Sequence, residues 1–174
     1  IHGSAYWAGR LMEAIDVEQP DRVVLLGDLL YHGPRNDLPR DYAPKRVIPL
    51  LNDLASSGRL VAVRGNCEAE VDQMVLPFPV LADYCLLESA GHLIYATHGH
   101  HFNEDHLPPL HPGDVLLHGH THIPRRTLRD GVYVLNPGSV SIPKAGSWHG
   151  YMTLEDGVFT WKTLSGDVRD TLRL

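Results

Sequence analysis

The sequence has few cysteines, no block of basic residues and no long apolar run. Only two cysteines occur in 174 residues, too few for a disulfide scaffold, which favours a reducing compartment, and we expect a cytoplasmic protein. With 15 basic and 21 acidic side chains and a net charge of −6, the chain lacks the positive surface that coats a nucleic acid. No run reaches the roughly 18 apolar residues of a membrane span, so we expect no membrane partner.

Length and composition predict one globular domain over residues 1–174. The apolar share is 43% and the charged share 21%, both ordinary for globular proteins. No repeat, low-complexity tract or linker divides the chain. Oligomeric state leaves no readable pattern, so a homo-oligomer stays open.

The first half of the chain predicts a βαβ unit. Ser4 is a candidate N-cap for a first helix, and apolar runs at 22–26 and 60–63 predict buried strands. A helix opening at Pro44 lies between them, with a kink or a late start at Pro49. Because the chain opens at Ile1 and enters a helix signal almost directly, we expect a further strand N-terminal to Ile1.

The second half is rich in predicted strands. Residues 84–88 and 93–97 form a predicted hairpin, and a second hairpin crosses Asp156–Gly157. Short apolar runs at 115–117 and 132–135 add two strands. We expect an α/β fold in which this half forms a second sheet packed on the first.

Histidine is the most informative residue type. Of 12 histidines, nine lie between residues 92 and 122. Neutral imidazole is the commonest protein ligand for metals, whereas a solvated surface gives no reason for such clustering. Metal binding is therefore the first functional hypothesis.

Polar side chains follow four of the predicted strands where each strand ends. Asp28, Asn66 and His98 each follow one strand, and His120 and His122 follow another. Ligands of open α/β sheets bind beyond the carboxyl ends of strands, so these groups are expected to converge. Any one alone fits an ordinary turn, and the hypothesis depends on their number.

The donor mixture limits the metal. Asp, Asn and His supply oxygen and nitrogen, which suit manganese, iron, zinc or nickel rather than Cu(I) or an iron–sulfur cluster. With His2 there are six candidate ligands, too many for one tetrahedral zinc. They suit two ions about 3.5 to 4 Å apart, the arrangement that clamps attacking and leaving oxygens in phosphoryl transfer.

The ordered motifs resemble the metallophosphoesterase, or calcineurin-like phosphoesterase, superfamily. They are His2–Gly3, Gly27–Asp28, Gly65–Asn66, Thr97–His98–Gly99–His100 and Gly119–His120–Thr121–His122. The local sequences around Asp28 and Asn66 and the segment Asn136–Pro137–Gly138–Ser139 are similar to those of small bacterial phosphodiesterases of the YfcE type. The resemblance implies a four-layer α/β/β/α sandwich of two mixed sheets, with two divalent metal ions that are commonly Mn²⁺ and with Zn²⁺, Fe or Ni²⁺ as alternatives.

The resemblance also implies roles. His2 and His122 would bind the first metal and Asp28 would bridge the pair, while Asn66, His98 and His120 would bind the second metal. Asn66, Cys67 and His98 are the candidate catalytic residues, and His32, Arg35 and Asn66 the candidate substrate contacts. His32 and Arg35 could equally belong to a solvated loop, and His100 is expected near the site without being a ligand.

Two departures from the family pattern bear on activity. The family's first motif is Asp-x-His, so its Asp would lie immediately upstream of Ile1. Cys67 stands where many members carry a His that protonates the leaving group, and a thiol with a pKa of about 8.5 is a poorer match for that task.

The implied function is a metal-dependent phosphodiesterase in which a hydroxide activated by two metals attacks phosphorus. Chain size favours a small phosphodiester or nucleotide substrate, while a nuclease or protein phosphatase of the superfamily stays open. The alternative is a non-catalytic protein-interaction scaffold of the same fold, as in the retromer scaffold subunit.

Overall fold

The computed structural model, which describes residues 1–174, contains three helices and ten strands, and all three helices lie in the first half of the chain. In chain order they are α1 (Ala5–Glu18), β1 (Val23–Leu25), α2 (Pro44–Ser56), β2 (Leu60–Ala62), α3 (Glu70–Gln73), β3 (Tyr84–Ser89), β4 (His92–Thr97), β5 (Val115–His118), β6 (Arg125–Arg129), β7 (Val132–Asn136), β8 (Gly150–Glu155), β9 (Val158–Thr163) and β10 (Val168–Arg173). The predicted α/β class is confirmed. None of the helices is long and apolar enough to cross a membrane.

The predicted βαβ unit is present. The Ser4 hydroxyl accepts a hydrogen bond from the Trp7 N–H and caps α1. Helix α2 begins at Pro44, where the missing N–H costs nothing, and continues through Pro49. β1 and β2 pair in parallel, so their carboxyl ends lie at one edge.

The larger sheet is mixed and has the order β3-β4-β5-β7-β6. The central strands β4, β5 and β7 are parallel, and the hairpin partners β3 and β6 pair antiparallel at the two edges. β4 and β5 are the strands that carry the histidine motifs, and their parallel pairing brings both motifs to one end of the sheet.

Strands β6 and β10 and the short α3 were not predicted. The sequences of β6 and β10 are largely charged, and most of their residues are exposed. Both are edge strands, which bury too little apolar surface to show a strand pattern.

Hydrogen bonding divides the strands into three sheets instead of the expected two. β8, β9 and β10 form an antiparallel sheet of their own, while β1 and β2 form another. A cavity of about 590 Å³ separates β1 from β8, and residues of both strands line it. No strand pairing joins β1 to β8 across this space, which is why the two sheets are distinct.

Two apolar cores lie on opposite faces of β1. Val23 and Leu25 pack with α1 and α2, whereas Val24 and Leu26 pack towards the five-stranded sheet and Trp161 of β9. The layers therefore run from helices through β1 and β2 to the larger sheet.

The outer face of the larger sheet carries a third, small core. Leu116, Val132 and Val134 pack there against Leu107 and Leu110. These two leucines belong to the connection between β4 and β5, which contains no helix. The expected strand N-terminal to Ile1 stays a prediction.

A charged cluster joins α1 to the three-stranded sheet at the cavity wall. Glu18 accepts a hydrogen bond of 2.6 Å from the Tyr151 hydroxyl and two of 2.7 and 2.9 Å from the Lys162 ammonium. Burial alone would raise the pKa of Glu18, but these hydrogen bonds outweigh it and lower the pKa. The cluster fixes the end of α1 over β8 and β9.

Glu18→Gln is expected to lower the free energy of unfolding by about 1 to 2 kcal/mol at neutral pH, because charge-assisted hydrogen bonds are lost. A lowered folded-state pKa gives stability above the unfolded pKa that is lost as pH falls through the folded pKa. The difference from the parent should therefore shrink in acid. Urea unfolding at neutral and acidic pH measures it, with the exposed Glu13→Gln as control; equal losses in both variants would contradict the prediction.

Candidate metal centre

All six predicted metal ligands converge on one site at the carboxyl ends of the strands. Asp28 lies beyond β1 and Asn66 beyond β2, while His98 directly follows β4. The remaining members of the set are His2, His120 and His122. His2, Asp28, His98 and His122 are all at most 5% exposed, so the site is built into the interior.

Four of the ligands have a left-handed backbone. The φ angles are 52° at His2, 55° at Asp28, 63° at His120 and 61° at His122. This region costs an L residue about 1 to 2 kcal/mol, and such residues cluster where surrounding structure holds a functional geometry. These turns direct the side chains from the strand ends into a common space.

The first ligand group consists of His2, Asp28 and His122. The Nε2 atoms of the two histidines are 3.0 Å apart, and His2 Nε2 is 3.9 Å from Asp28 Oδ2. The ligand atoms of the three residues lie within 4.8 Å of one another, close enough to hold a single metal ion.

The second group meets the first at the same carboxylate oxygen. His98 Nε2 lies 3.4 Å from Asp28 Oδ2, 3.0 Å from Asn66 Oδ1 and 3.1 Å from His120 Nδ1. Asp28 Oδ2 thus belongs to both groups. The arrangement is one set of donors on each side of a shared carboxylate.

Backbone carbonyls fix the histidine tautomers. The Nδ1 atoms of His2, His98 and His122 lie 3.1, 2.6 and 3.1 Å from carbonyl oxygens of Tyr31, Leu26 and Ile142 respectively. A carbonyl can only accept, so each Nδ1 carries a proton and each Nε2 faces into the site. Such bonds orient metal-binding histidines in proteins generally.

Two imidazole nitrogens face each other inside the site. His2 Nε2 and His122 Nε2 are 3.0 Å apart with no donor fixed between them, and His98 Nε2 lies near Asn66 Oδ1 and Asp28 Oδ2. Facing lone pairs in a buried space repel unless a cation lies among them. The donor set of imidazole nitrogen, carboxylate and amide oxygen suits divalent ions of the manganese-to-zinc series.

Protonation states agree with this interpretation. Burial lowers the pKa of His2 to about 3 and that of His122 to about 4, so both are neutral ligands at neutral pH. Burial alone would raise the pKa of Asp28, but the neighbouring imidazoles of His98 and His2 lower it well below its usual range. Asp28 is therefore a carboxylate.

Glu68 holds together the two loops that carry Asp28 and Asn66. Its carboxylate accepts backbone hydrogen bonds from Asp28 N at 2.8 Å, Leu29 N at 2.7 Å and Gly65 N at 2.5 Å. Burial raises the pKa of Glu68 even though these donors act to lower it. Gly65 is required here because a Cβ would collide with Asp28 and with the Glu68 carboxylate.

The segment from Asn136 supports the histidine loop from the other side. The Asn136 side-chain amide donates a hydrogen bond of 2.6 Å to the Gly119 carbonyl and one of 3.1 Å to the Thr121 hydroxyl. Farther along, Ile142 accepts from His122. The segment that begins at Asn136 therefore borders the site.

Cys67 and His100 lie beside the ligands. Cys67 N donates to Asp28 Oδ1 at 3.0 Å, and Asn66 Nδ2 donates to the thiol at 3.4 Å. Burial and the charge of Asp28 raise the pKa of Cys67 to about 12. The His100 ring centroid is 5.3 Å from that of His98, and its Nδ1 has no partner, which places it near the site but outside the ligand set.

The two predicted substrate contacts lie on the loop after Asp28. His32 packs edge-on against Tyr31 and Tyr42 and makes no hydrogen bond to a ligand residue. Arg35 is exposed, but its charge acts on the pKa of Cys67 and of His120. Their roles stay predictions.

Sequence reasoning missed Glu68 as a supporting residue. It stands directly after Asn66–Cys67 in a motif already singled out, but an acid at that position shows no sign that it is buried. Its partners are backbone N–H groups on a loop 40 residues away, and only the fold reveals them.

Comparison with known proteins places these features in a family. A model of the calcineurin-like phosphoesterase superfamily domain matches residues 1–156. Phosphodiesterase YfcE of Escherichia coli (strain K12) is 44% identical over 160 residues, which are 92% of this chain and 86% of YfcE. Probable metallophosphoesterase YsnB of Bacillus subtilis (strain 168) is 30% identical over 107 residues, 56% of this chain and 59% of that protein.

Solved structures agree on the fold. The structure of YfcE, a phosphoesterase from E. coli, matches with a TM-score of 0.93 at 41% identity, covering 99% of this chain and 94% of that one. Vacuolar Protein Sorting 29 from Cryptosporidium parvum matches with a TM-score of 0.56 at 16% identity, covering 95% and 89%. That second likeness shows the fold alone, and together these matches confirm the expected metallophosphoesterase fold.

Glu68→Gln is expected to weaken Mn²⁺ binding about 10- to 100-fold, the usual cost of losing support behind metal ligands. An amide offers one oxygen in place of two, so an N–H donor of the Asp28 or Asn66 loop loses its partner. Isothermal titration calorimetry measures the dissociation constant, with the exposed neighbour Glu70→Gln as matched control. Parent-like affinity in a folded Glu68→Gln protein would show that Glu68 does not support the loops that carry Asp28 and Asn66.

Proposed function

Since the chain belongs to the calcineurin-like phosphoesterase superfamily, we propose that it is a metal-dependent phosphoric diester hydrolase whose active site is the cluster around Asp28. The observation that carries this proposal is the set of inward-facing imidazole nitrogens gathered around Asp28 Oδ2. The 44% identity to Phosphodiesterase YfcE supports the same reaction class.

The ligand geometry supports two divalent cations. His2, His122 and Asp28 would hold one ion, and Asp28, Asn66, His98 and His120 the other. When bound, such a pair activates water and stabilises the charge that develops on phosphoryl oxygens. Mn²⁺ is the first candidate, and the same donors would accept Zn²⁺, Fe or Ni²⁺.

The side chains of the site divide the remaining work. Asp28 is held ionised between the two ligand groups, and its Oδ1 is fixed by the Cys67 N–H. Asn66 presents its Oδ1 to the His98 side and its Nδ2 beside Cys67, where the amide can donate to a phosphate oxygen. His98, fixed by the Leu26 carbonyl, positions the second ligand group.

Cys67 is proposed as the proton donor for the leaving group. Its raised pKa, about 12, keeps the thiol protonated but makes it a reluctant acid. An acid transfers its proton best when its pKa lies near the working pH. Activated aryl diesters, whose leaving groups need no proton, should therefore react faster than alkyl diesters.

The substrate proposed is a small phosphodiester or nucleotide, with a nuclease or protein phosphatase activity left open by the motifs. A cytoplasmic location stays a prediction. The non-catalytic scaffold is the other candidate, but every visible ligand position here retains a coordinating residue, which supports the enzyme.

The deciding experiment is hydrolysis of bis(p-nitrophenyl) phosphate by metal-stripped protein titrated with Mn²⁺. We expect Mn²⁺-dependent turnover that Asp28→Asn lowers by at least 100-fold, because both ligand groups lose their shared carboxylate. The exposed Asp53→Asn on α2 is the matched control and should retain parent activity. Absence of turnover with Mn²⁺, Zn²⁺, Fe²⁺ and Ni²⁺ would favour the scaffold.

Cys67→His is expected to raise kcat/KM about tenfold on diesters with poor leaving groups and to change it little on bis(p-nitrophenyl) phosphate. Imidazole, with a pKa near neutrality, is the better acid, and general acids contribute about 10²- to 10⁴-fold. A leaving-group series measures the slope, with Cys67→Ser as control. The same slope for all three proteins would show that residue 67 does not protonate the leaving group.

A further inference from the structure

Two exposed cations flank the ligand cluster without an acidic partner. Arg35 lies on the loop after Asp28 and Lys144 on the loop after Asn136. Neither makes a side-chain hydrogen bond or salt bridge, whereas Lys162 and Arg46 are paired with carboxylates. An unpaired cation beside an anion-processing site is available to a ligand.

The Lys144 backbone is anchored directly on a ligand residue. Its N–H donates 3.1 Å to the His122 carbonyl, and its own carbonyl accepts from Ser147 N at 3.0 Å and Ser147 Oγ at 2.7 Å. The side chain therefore starts one hydrogen bond away from the first ligand group. Because only backbone atoms make these contacts, the ammonium is not needed to hold the loop.

Arg35 belongs to the opposite wall. Its loop is closed by Asn36, whose N–H donates to the Gly33 carbonyl at 3.3 Å and whose amide donates to the His32 carbonyl at 2.8 Å. Gly33 packs against Cys67, since a Cβ there would lie 3.4 Å from the thiol sulfur. Arg35 thus stands on the Asn66 and Cys67 side.

The backbone contacts place the two cations on different loops of the site. Lys144 follows the hydrogen bond to the His122 carbonyl, and Arg35 belongs to the loop whose Gly33 contacts Cys67. Both charges act on the half-buried His120, where burial is the main cause that lowers the pKa and the two cations lower it further.

We propose that Arg35 and Lys144 together bind a second anionic group of the substrate, a phosphate or carboxylate carried by the ester arm beside the scissile diester. This inference rests on the proposed function and makes it narrower: the preferred substrate is a diester with an additional negative charge. A guanidinium can bind such a group through two parallel hydrogen bonds, while the flexible lysine adds a mobile point charge.

The test compares two substrates with the same leaving group, p-nitrophenyl ethyl phosphate and p-nitrophenyl 2-phosphoethyl phosphate. Lys144→Ala should lower kcat/KM for the phosphoethyl ester about tenfold, the size of one charge-assisted hydrogen bond, and leave the ethyl ester within about twofold. Lys144→Arg should retain most of the preference. Arg173→Ala is the matched control, because it removes an exposed cation on a different strand, β10. In the strand register Arg173 lies opposite Val158, at the other end of the β8–β9 hairpin from Gly150.

A binding measurement separates this inference from the proposed function. Mn²⁺-loaded protein is titrated with ethylene bisphosphate, which contains no diester bond to cleave, by calorimetry, and Lys144→Ala should bind about tenfold more weakly than the parent. If neither the parent nor the variant hydrolyses either ester, the proposed phosphodiesterase function is wrong, and the titration alone tests whether Lys144 binds the anionic group. An equal loss of kcat/KM on both esters, or equal affinity of parent and variant including no measurable binding by either, overturns the role of Lys144.

Discussion

The Asp28 carboxylate is the point on which the rest of the site depends. One of its oxygens belongs to both ligand groups, and the other is fixed by the Cys67 N–H. Its backbone has a left-handed conformation, and the Asp28 N–H donates a hydrogen bond to the Glu68 carboxylate. A buried carboxylate is stable only when it is hydrogen-bonded or lies near positive charge, so this arrangement suits a bound cation.

The convergence of the ligands could be predicted from the sequence because it follows from strand topology. Asp28 and Asn66 come after apolar runs of a βαβ unit, and His98 and His120 come after two more such runs. Parallel pairing of β1 with β2 and of β4 with β5 puts each pair of strand ends at one edge. A pattern of short buried strands, each followed by Gly and a polar residue, therefore predicts both the fold and the position of the site.

What the sequence could not show depends on contacts between distant residues. Strands β6 and β10 are charged and exposed, so their pairing is set by neighbours and not by their own pattern. Glu68 resembles an ordinary polar loop residue until its backbone partners are known. Lys144 gives no signal in the sequence, because its importance comes only from the hydrogen bond that anchors it to His122.

The charges of the site divide chemistry from selectivity. Asp28 contributes a negative charge to the ligand set, inside a protein of net charge −6, so that carboxylate alone would repel a phosphate. Cations held by the ligands would reverse that sign at the reacting phosphorus. Arg35 and Lys144 lie outside the ligand set, and the role proposed for them is to bind an anionic group on the ester arm of the substrate. Changing them should therefore alter which diester is chosen, whereas changing Asp28 should alter whether any diester is cleaved.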